Sequence, residues 1–419
     1  AGLARQAQAN TDLPFIVLTD PADYLSLPKK LISRWRNRGL TVPGAIRFHR
    51  WLAGQGSRSP SVEVAPEDLA VIQFTGGTTA AAKGVMLSHK NLVANALQTR
   101  HWMPAAQEGR ERFLCALPFS HIYGLTTALT VPVTLGATLI LKAQFQVKDV
   151  LQSIQKNRPT IFPGVPSMYV AINNFRGVRK YGIRSIKACI SGSAPLPVEV
   201  QEAFEKLTKG RLVEGYGLTE ASPVTHANPL DGSGKVGSIG VPLPSTQAAV
   251  VDLGRGRKQV KPGQIGELAV RGPQVMMGYW KSPQATREVL TSDGWLLTGD
   301  VAQMDSDGFF RIIARKADMW YPEKPGQPAF PRDVEEVIYE IPQIKEVAVV
   351  AIASHPFAYV IADRERPTPE AVLSYCKRRL PPHLVPRFVI FMDDFPRTFI
   401  GKVLRRELAK RYEQHVTEK

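Results

Sequence analysis

The chain has 419 residues, 44% of them hydrophobic and 21% charged, which is the composition of a soluble globular protein with material for more than one domain. Its 53 Lys and Arg outnumber 37 Asp and Glu, and the net charge of +16 suits anionic partners (nucleic acid, acidic lipid, phosphorylated small molecules) or a solvated basic surface. Three dispersed cysteines, Cys115, Cys189 and Cys376, argue against a disulfide framework and a zinc site, and a reducing cytoplasm is the expected setting.

The chain opens at Ala1 with neither an initiator Met nor a signal-peptide pattern, which reads as a fragment or a processed end. A short strand, FIVL (15–18), is followed by KKLISRWRNRGL (29–40). The latter is a basic amphipathic helix that suits an anionic membrane surface, such as the inner face of the membrane, or core packing with a solvated basic face. LAVIQF (69–74), RFLCAL (112–117), ATLIL (137–141) and IKACI (186–190) read as buried strands. The longest uncharged run, Thr126 to Leu141, carries Pro132, Gly136 and several threonines. It falls short of the roughly 20 apolar residues of a membrane span and reads as core strand, turn, strand. VKDVLQSIQKN and PVEVQEAFEKL read as helices, the second with Pro197 in its first turn.

This alternation predicts an α/β fold with parallel strands. From about Gly237 to Tyr279 short strands and turns, AAVVDLG and GELAVRG, predict a small β-rich subdomain. A proline-rich loop, WYPEKPGQPAFP, follows Arg315 and precedes a helix–strand–strand–helix pattern. The expected division is a large multi-sheet domain over 1–314 and a small α+β domain over 315–419. There is no internal repeat and no RNA- or DNA-binding motif.

The strongest local feature is TGGTTAAAKG, Thr75 to Gly84, directly after the strand VIQF. Glycines let backbone approach a phosphate closely, and threonine hydroxyls and amides donate to it. Lys83 adds a cation on a stem that reaches a terminal phosphate. It is not a Walker A loop, which needs GxxxxGK[ST] leading into a helix. Alone, such a loop serves as well as a flexible turn. Downstream stand EGYGLTE (214–220), GWLLTGD (294–300), FFRIIARKAD (309–318) and PRTFIGKVLRREL (396–408).

In this order the segments resemble the adenylate-forming, AMP-binding superfamily of acyl-CoA synthetases, luciferases and peptide-synthetase adenylation domains. EGYGLTEASPV and GKVLRREL are most similar to bacterial long-chain fatty-acid–CoA ligases, and the resemblance runs from about Phe15 to the C-terminus. It implies ATP, Mg²⁺ and coenzyme A acting on a medium- or long-chain carboxylic acid. The loop residues Thr75, Gly76, Gly77, Thr78, Thr79 and Lys83 would hold the ATP phosphates, and the turn Gly192, Ser193, Ala194 would line the adenine. In EGYGLTE, Tyr216 between Gly215 and Gly217 would stack on the base, Thr219 would meet the α-phosphate, and Glu220 would bind Mg²⁺, a hard cation that prefers oxygen. Asp300 and Arg315 would take the ribose hydroxyls, unless they form an ordinary surface pair. Lys402, following Gly401 at the start of a helix, would offset repulsion between the reacting carboxylate and the α-phosphate. Its neighbours Arg405 and Arg406 read as a solvated helix face. His121, in PFSHIYG, would sit where the acyl chain meets the CoA channel, or be structural.

Phe119, Ser120 and His121 stand where amino-acid adenylation domains carry an aspartate, which favours an acid without an ammonium group. An acyl-AMP ligase loading a carrier protein and a non-catalytic nucleotide- or acyl-binding homologue remain alternatives. Three departures from the family pattern stand out. Ala317 occupies the position two after Arg315, where a hinge Asp or Lys is usual, and the following stretch is unusually long and proline-rich. That hinge predicts restricted rotation of the small domain and a slowed second half-reaction. The loop after AVVAIASHP is shortened. Finally, the residues ahead of Thr75 are too few for the family's N-terminal part, so the large domain is expected to be truncated at its start. Oligomeric state has no signal in the sequence.

Overall fold

Short apolar runs without polar alternation build the central sheet, as expected of strands covered on both faces. In the computed structural model, which describes residues 2–20, 27–36, 42, 44–57, 59–75, 82–254, 257–322, 328–363, 365–397 and 403–417, Arg112–Cys115 lies parallel to Thr138–Leu141. Ile161 bridges Phe113 on one side and Ala188 on the other. Ala188–Ser191 then pairs in parallel with Arg211–Gly217, which continues through antiparallel Val224–Ala227 to Val241–Pro242. Alternate side chains divide between two cores. Leu114 joins Leu151, Ile154, Tyr169, Phe204 and Leu212 under the helices Val147–Asn157, Pro166–Asn173 and Val198–Thr208. Phe113 and Cys115 instead meet Ala96, Ala128, Val131 and Leu135 on the opposite face.

The chain divides into two compact units, Ala1–Val64 and Ala65–Lys419. In the first, a parallel pair of short strands, Val17–Leu18 with Ile46–Arg47, accompanies the helices Gly2–Ala9, Leu27–Arg36 and Phe48–Ala53. Phe15 and Trp51 meet edge to face at 6.2 Å. The second unit holds the central sheet and three others. Leu69–Phe74 and Gly84–Ser88 form an antiparallel hairpin extended by Gly278–Tyr279. Gln247–Val251, Ile265–Arg271, Leu296–Met304 and Phe310–Arg315 form a four-stranded antiparallel sheet. In the last, Ile344–Ile352 and His355–Ala362 pair antiparallel, and Phe388–Phe391 lies parallel to the latter. Helices Pro331–Tyr339 and Pro369–Arg379 pack on one face through Val334, Ile338, Val372 and Cys376. Leu408 of Arg405–Thr417 packs on the other with Tyr359 and Phe395.

Several expectations need correction. Thr126–Thr134 is helical rather than a strand, a π-type turn over Thr126–Thr130 running into Val131–Thr134. Its threonines are β-branched, but their hydroxyls bond back to carbonyls within the helix: Thr127 to Tyr123 at 2.7 Å and Thr130 to Thr126 at 3.1 Å. Thr126 donates outward to Ser222 O at 2.6 Å, so burial of the polar group is satisfied. Pro197 is the extended residue ahead of its helix, which begins at Val198. Arg405 is not on a solvated face, because it pairs with Glu335 at 2.5 Å and donates to Val349 O at 3.2 Å. No loop follows AVVAIASHP, because its last two residues already open the strand His355–Ala362; the turn lies within it, where Ala353 and Ser354 both adopt positive φ, 48° and 62°, as a tight β-hairpin demands. Among the described residues, no helix is long and apolar enough to cross a membrane.

Phe204 is fully buried and meets Tyr169 edge-on at 4.9 Å. Phe204→Ala is expected to cost about 3–5 kcal/mol in urea denaturation. An unchanged urea midpoint would show that the helix layer does not depend on this contact.

Candidate functional site

The glycine loop is the tip of a hairpin closed at its neck, where Thr75 N–H donates to Lys83 O at 2.9 Å. Gly76, Gly77, Thr78 and Thr79 lie outside the described residues. The neck is packed so closely that a Cβ at Gly84 would come within 2.8 Å of Ile72 Cγ2. Lys83 Nζ lies 4.7 Å from the centre of the Tyr279 ring, which the strand Gly278–Tyr279 brings alongside Val85 and Met86. The Tyr279 hydroxyl donates to Glu220 Oε1 at 2.7 Å. Burial, with the Glu220 charge, raises the pKa of this phenol and keeps it a donor. Lys83 and Glu220 thus meet through a tyrosine that the sequence motifs do not mark.

The EGYGLTE segment ends the strand Arg211–Gly217 and turns through Thr219–Ala221. Its glycines are obligatory by contact: a Cβ at Gly217 would collide with Pro223 O, and one at Gly215 would lie 2.8 Å from Ile190 Cγ2. Between them, Tyr216 presents its ring edge to His226 at 6.0 Å and donates its hydroxyl to Asp300 Oδ2 at 2.5 Å. Arg315 Nε reaches Asp300 Oδ1 at 3.0 Å, across the antiparallel register that sets these two residues opposite one another. Asp300 is only 3% exposed, which rules out an ordinary surface pair. Burial works against the Arg315 cation, but Asp300, helped by Tyr216 and Glu220, more than offsets it. His226, enclosed between the Tyr216 and Phe310 rings, is neutral, its pKa lowered by burial to about 3.

The turn after Ala188–Ser191 is tight for another reason. A Cβ at Gly192 would lie 3.0 Å from the Tyr123 ring, whose hydroxyl donates to Ile190 O at 2.7 Å. Ser193 takes a positive φ of 70°, and Ser193 and Ala194 face solvent. His121 caps the helix Ile122–Leu125, its Nδ1 accepting from Tyr123 N–H at 3.2 Å, and burial lowers its pKa. Gln73, in the hairpin, donates to Ser120 O at 2.7 Å and ties this segment to the loop's base. Lys402 and Gly401 lie outside the described residues, and the last helix begins at Arg405, three positions beyond Lys402. Lys83, Tyr216, Glu220, Asp300 and Arg315 are therefore brought together, with Tyr279 added.

A cavity of about 530 Å³ of mixed polar and apolar lining adjoins the cluster, with Glu220, Glu267, Tyr279, Leu296, Gly299 and Lys316 among its walls. Glu267 accepts from Gly299 N–H at 3.1 Å and pairs with Lys316 at 2.6 Å, which anchors the turn carrying Ala317. Among the described residues, no group of three or more His, Cys, Asp or Glu could hold a metal ion.

Two family profiles match the chain: "AMP-binding enzyme" over residues 14–280 and "AMP-binding enzyme C-terminal domain" over 333–402. The chain is 40% identical to a long-chain-fatty-acid–CoA ligase of Bacillus subtilis (strain 168), covering 94% of this chain and 72% of that protein. A ligase of the same description from Escherichia coli O157:H7 is 37% identical over 95% of this chain and 73% of its own length. Among solved structures, ATP-bound MatB from Rhodopseudomonas palustris superposes with a TM-score of 0.81 at 28% identity, covering 95% of this chain and 78% of that one. O-succinylbenzoate coenzyme A synthetase (MenE) of Bacillus subtilis, in complex with AMP, gives 0.75 at 26% identity over 94% and 78%.

Glu214, the residue that opens EGYGLTE, accepts from Leu196 N–H at 3.3 Å, and burial raises its pKa to about 7. A carboxyl raised in the folded state contributes stability fully below its unfolded pKa and loses it as pH rises through the folded one. Stability is therefore expected to fall between about pH 4.5 and 7 by on the order of 3 kcal/mol from this group. Glu214→Gln should flatten that segment of the pH–stability curve. Parallel curves for the two proteins would show that Glu214 does not titrate in this window.

Proposed function

Because the chain belongs to the AMP-binding enzyme family, we propose that it is an acid–thiol ligase that activates fatty carboxylic acids with ATP and transfers the acyl group to coenzyme A. The observation that carries this reading is the constellation Tyr216–Asp300–Arg315, with Asp300 buried, beside Lys83, Tyr279 and Glu220. In the first step a carboxylate oxygen attacks the α-phosphorus of ATP and pyrophosphate leaves, giving acyl-AMP. In the second, the CoA thiol attacks the acyl carbon and AMP leaves.

Each residue has a part in this scheme. The loop Thr75–Thr79 and Lys83 hold the β- and γ-phosphates, and the Tyr279 ring beneath Lys83 fixes where that cation points. Thr219 donates toward the α-phosphate. Glu220 would hold Mg²⁺, a hard cation that prefers oxygen and would offset the charge of the phosphates. Gly192, Ser193, Ala194 and the Tyr216 ring frame the adenine. Asp300 and Arg315 receive the ribose hydroxyls, with Tyr216 holding the carboxylate's orientation. Lys402, carried by the mobile domain 315–419, approaches the reacting carboxylate and α-phosphate and offsets their repulsion. His121 stands near the junction of the acyl and CoA paths, where its capping bond holds the ring in place.

In this reading the acyl chain runs past Thr127, Cys189 and Ile190, between the π-type turn and the sheet, where a small apolar cavity marks the path. It narrows at Met103, Ile161 and Ala188, then opens into a mainly apolar compartment of about 430 Å³ floored by Trp102, Met103 and Leu230. Transfer to a carrier protein remains the second reading, and the acceptor assay separates the two.

ATP–pyrophosphate exchange across acids of graded length is expected to peak at medium or long chains and to fall by about 100-fold or more in Lys402→Ala, which removes a cation at the reacting groups, and in Asp300→Ala, which removes the ribose contact that positions ATP. If no acid supports exchange above those controls, the enzymatic reading fails. Met103→Ala is expected to shift the optimum to longer chains and Met103→Trp to shorter ones. An unmoved optimum in both would place the chain elsewhere.

A further inference from the structure

We propose that Lys316 is a positioning residue: held by the buried Glu267 carboxylate, it fixes the large-domain end of the hinge and confines the swivel of the small domain to Ala317–Met319. Arg315 and Lys316 are consecutive, yet each takes a different acid. Arg315 Nε reaches Asp300 Oδ1 at 3.0 Å, and Lys316 Nζ reaches Glu267 Oε2 at 2.6 Å. Asp300 lies on the strand Leu296–Met304 and Glu267 on its neighbour Ile265–Arg271. The two pairs therefore bind the start of the hinge to two strands of the antiparallel sheet. Glu267 is 5% exposed, and its other oxygen accepts from Gly299 N–H at 3.1 Å, next to Asp300. A carboxylate buried to this degree holds its cation firmly, because parting the pair would leave a charge out of water and alone.

The far end of the hinge is tied to the small domain. Trp320 is buried in the core of Val334, Ile338 and Val372, and it exchanges backbone hydrogen bonds with Ala329 at 3.1 and 2.8 Å. Pro322, Pro325 and Pro328 fall between those two residues in the chain, so they lie beyond the swivel rather than in it. Three residues remain between Lys316 and Trp320, and Ala317 among them is exposed, with a methyl group as its whole side chain. A link this short, anchored at both ends, samples few orientations of the domain that carries Lys402. Fewer orientations mean less entropy to lose when Lys402 meets the reacting groups. The kinetic effect rests on the proposed ligase reaction; the hinge geometry does not.

Spin labels on Ala203→Cys and Ala371→Cys, exposed helix positions on either side of the hinge, read the spread of domain orientations, and the native cysteines are buried. The distance distribution is expected to broaden in Lys316→Met and to keep its width in Lys316→Arg. In ATP–pyrophosphate exchange, kcat is expected to fall about tenfold in Lys316→Met with KM for ATP held within about threefold, and Lys316→Arg to restore it. Should the unpaired Glu267 unfold Lys316→Met, the double variant Glu267→Gln, Lys316→Met removes both charges and is expected to give the same broadening. An unchanged distribution in a folded variant overturns the proposal. So does a raised KM for ATP at unchanged kcat, which would make Lys316 a nucleotide contact. An unaltered chain that exchanges pyrophosphate with no acid refutes the ligase reading, while the labels still decide the hinge.

Discussion

A carboxylate taken out of water at Asp300 is the constraint around which the rest of the site is arranged. It is 3% exposed, and Arg315 and the Tyr216 hydroxyl each engage one of its two oxygens, which offsets the cost of burying it. The arrangement joins separate parts of the fold. Tyr216 stands at the end of the central sheet, Asp300 in the middle of a nine-residue antiparallel strand, and Arg315 at the end of its partner strand, just ahead of the C-terminal elements. Removing Asp300 would take the acceptor from both Tyr216 and Arg315, so this carboxylate ties the central sheet to the four-stranded antiparallel sheet.

The second node follows the same logic at lower burial. Tyr279 takes Glu220 on its hydroxyl and Lys83 on its face, so one aromatic ring holds an anion and a cation at a set separation without letting them neutralise each other. The hairpin that carries the glycine loop is therefore anchored at its neck by backbone pairing and at its side by this ring. The glycines nearby are explained by collision as well as by backbone freedom. At Gly215, Gly217 and Gly192 the obstacle is a neighbouring strand, a carbonyl or a tyrosine ring that leaves no room for a methyl group.

How much of this was legible beforehand varies with the kind of information each feature needs. The buried parallel strands declared themselves, because a strand covered on both faces has to be continuously apolar, and Phe113–Cys115 and Cys189–Ile190 are. The helix through Thr126–Thr134 did not. Its threonines favour strands by propensity, and only the carbonyls of Tyr123, Thr126 and Ser222, one of them far along the chain, reveal where the hydroxyls go. Arg405 was misread for the same reason, since its partner Glu335 lies 70 positions away on another helix. Tyr216, Glu220, Asp300 and Arg315 could be singled out because each sits in a compact motif, but their meeting depends on sheet pairing. Tyr279 was missed because its importance comes from strand register, Gly278 opposite Met86, which no local pattern encodes.

The layout of polar and apolar space argues for an amphiphilic substrate independently of any motif. The polar cluster gathers at the ends of the parallel strands, at Ser191 and Gly217, while the apolar compartment opens at their beginnings, at Ala188 and Arg211. Between the sheet and the π-type turn lies a small apolar cavity with about 10 Å³ free, which shares Met103, Ile161 and Ala188 with that compartment. A small polar acid would have no use for the far compartment, and a purely apolar ligand would have none for the buried carboxylate and arginine. A carboxylate on a long alkyl chain uses both, its head among the cations and its tail displacing Met103.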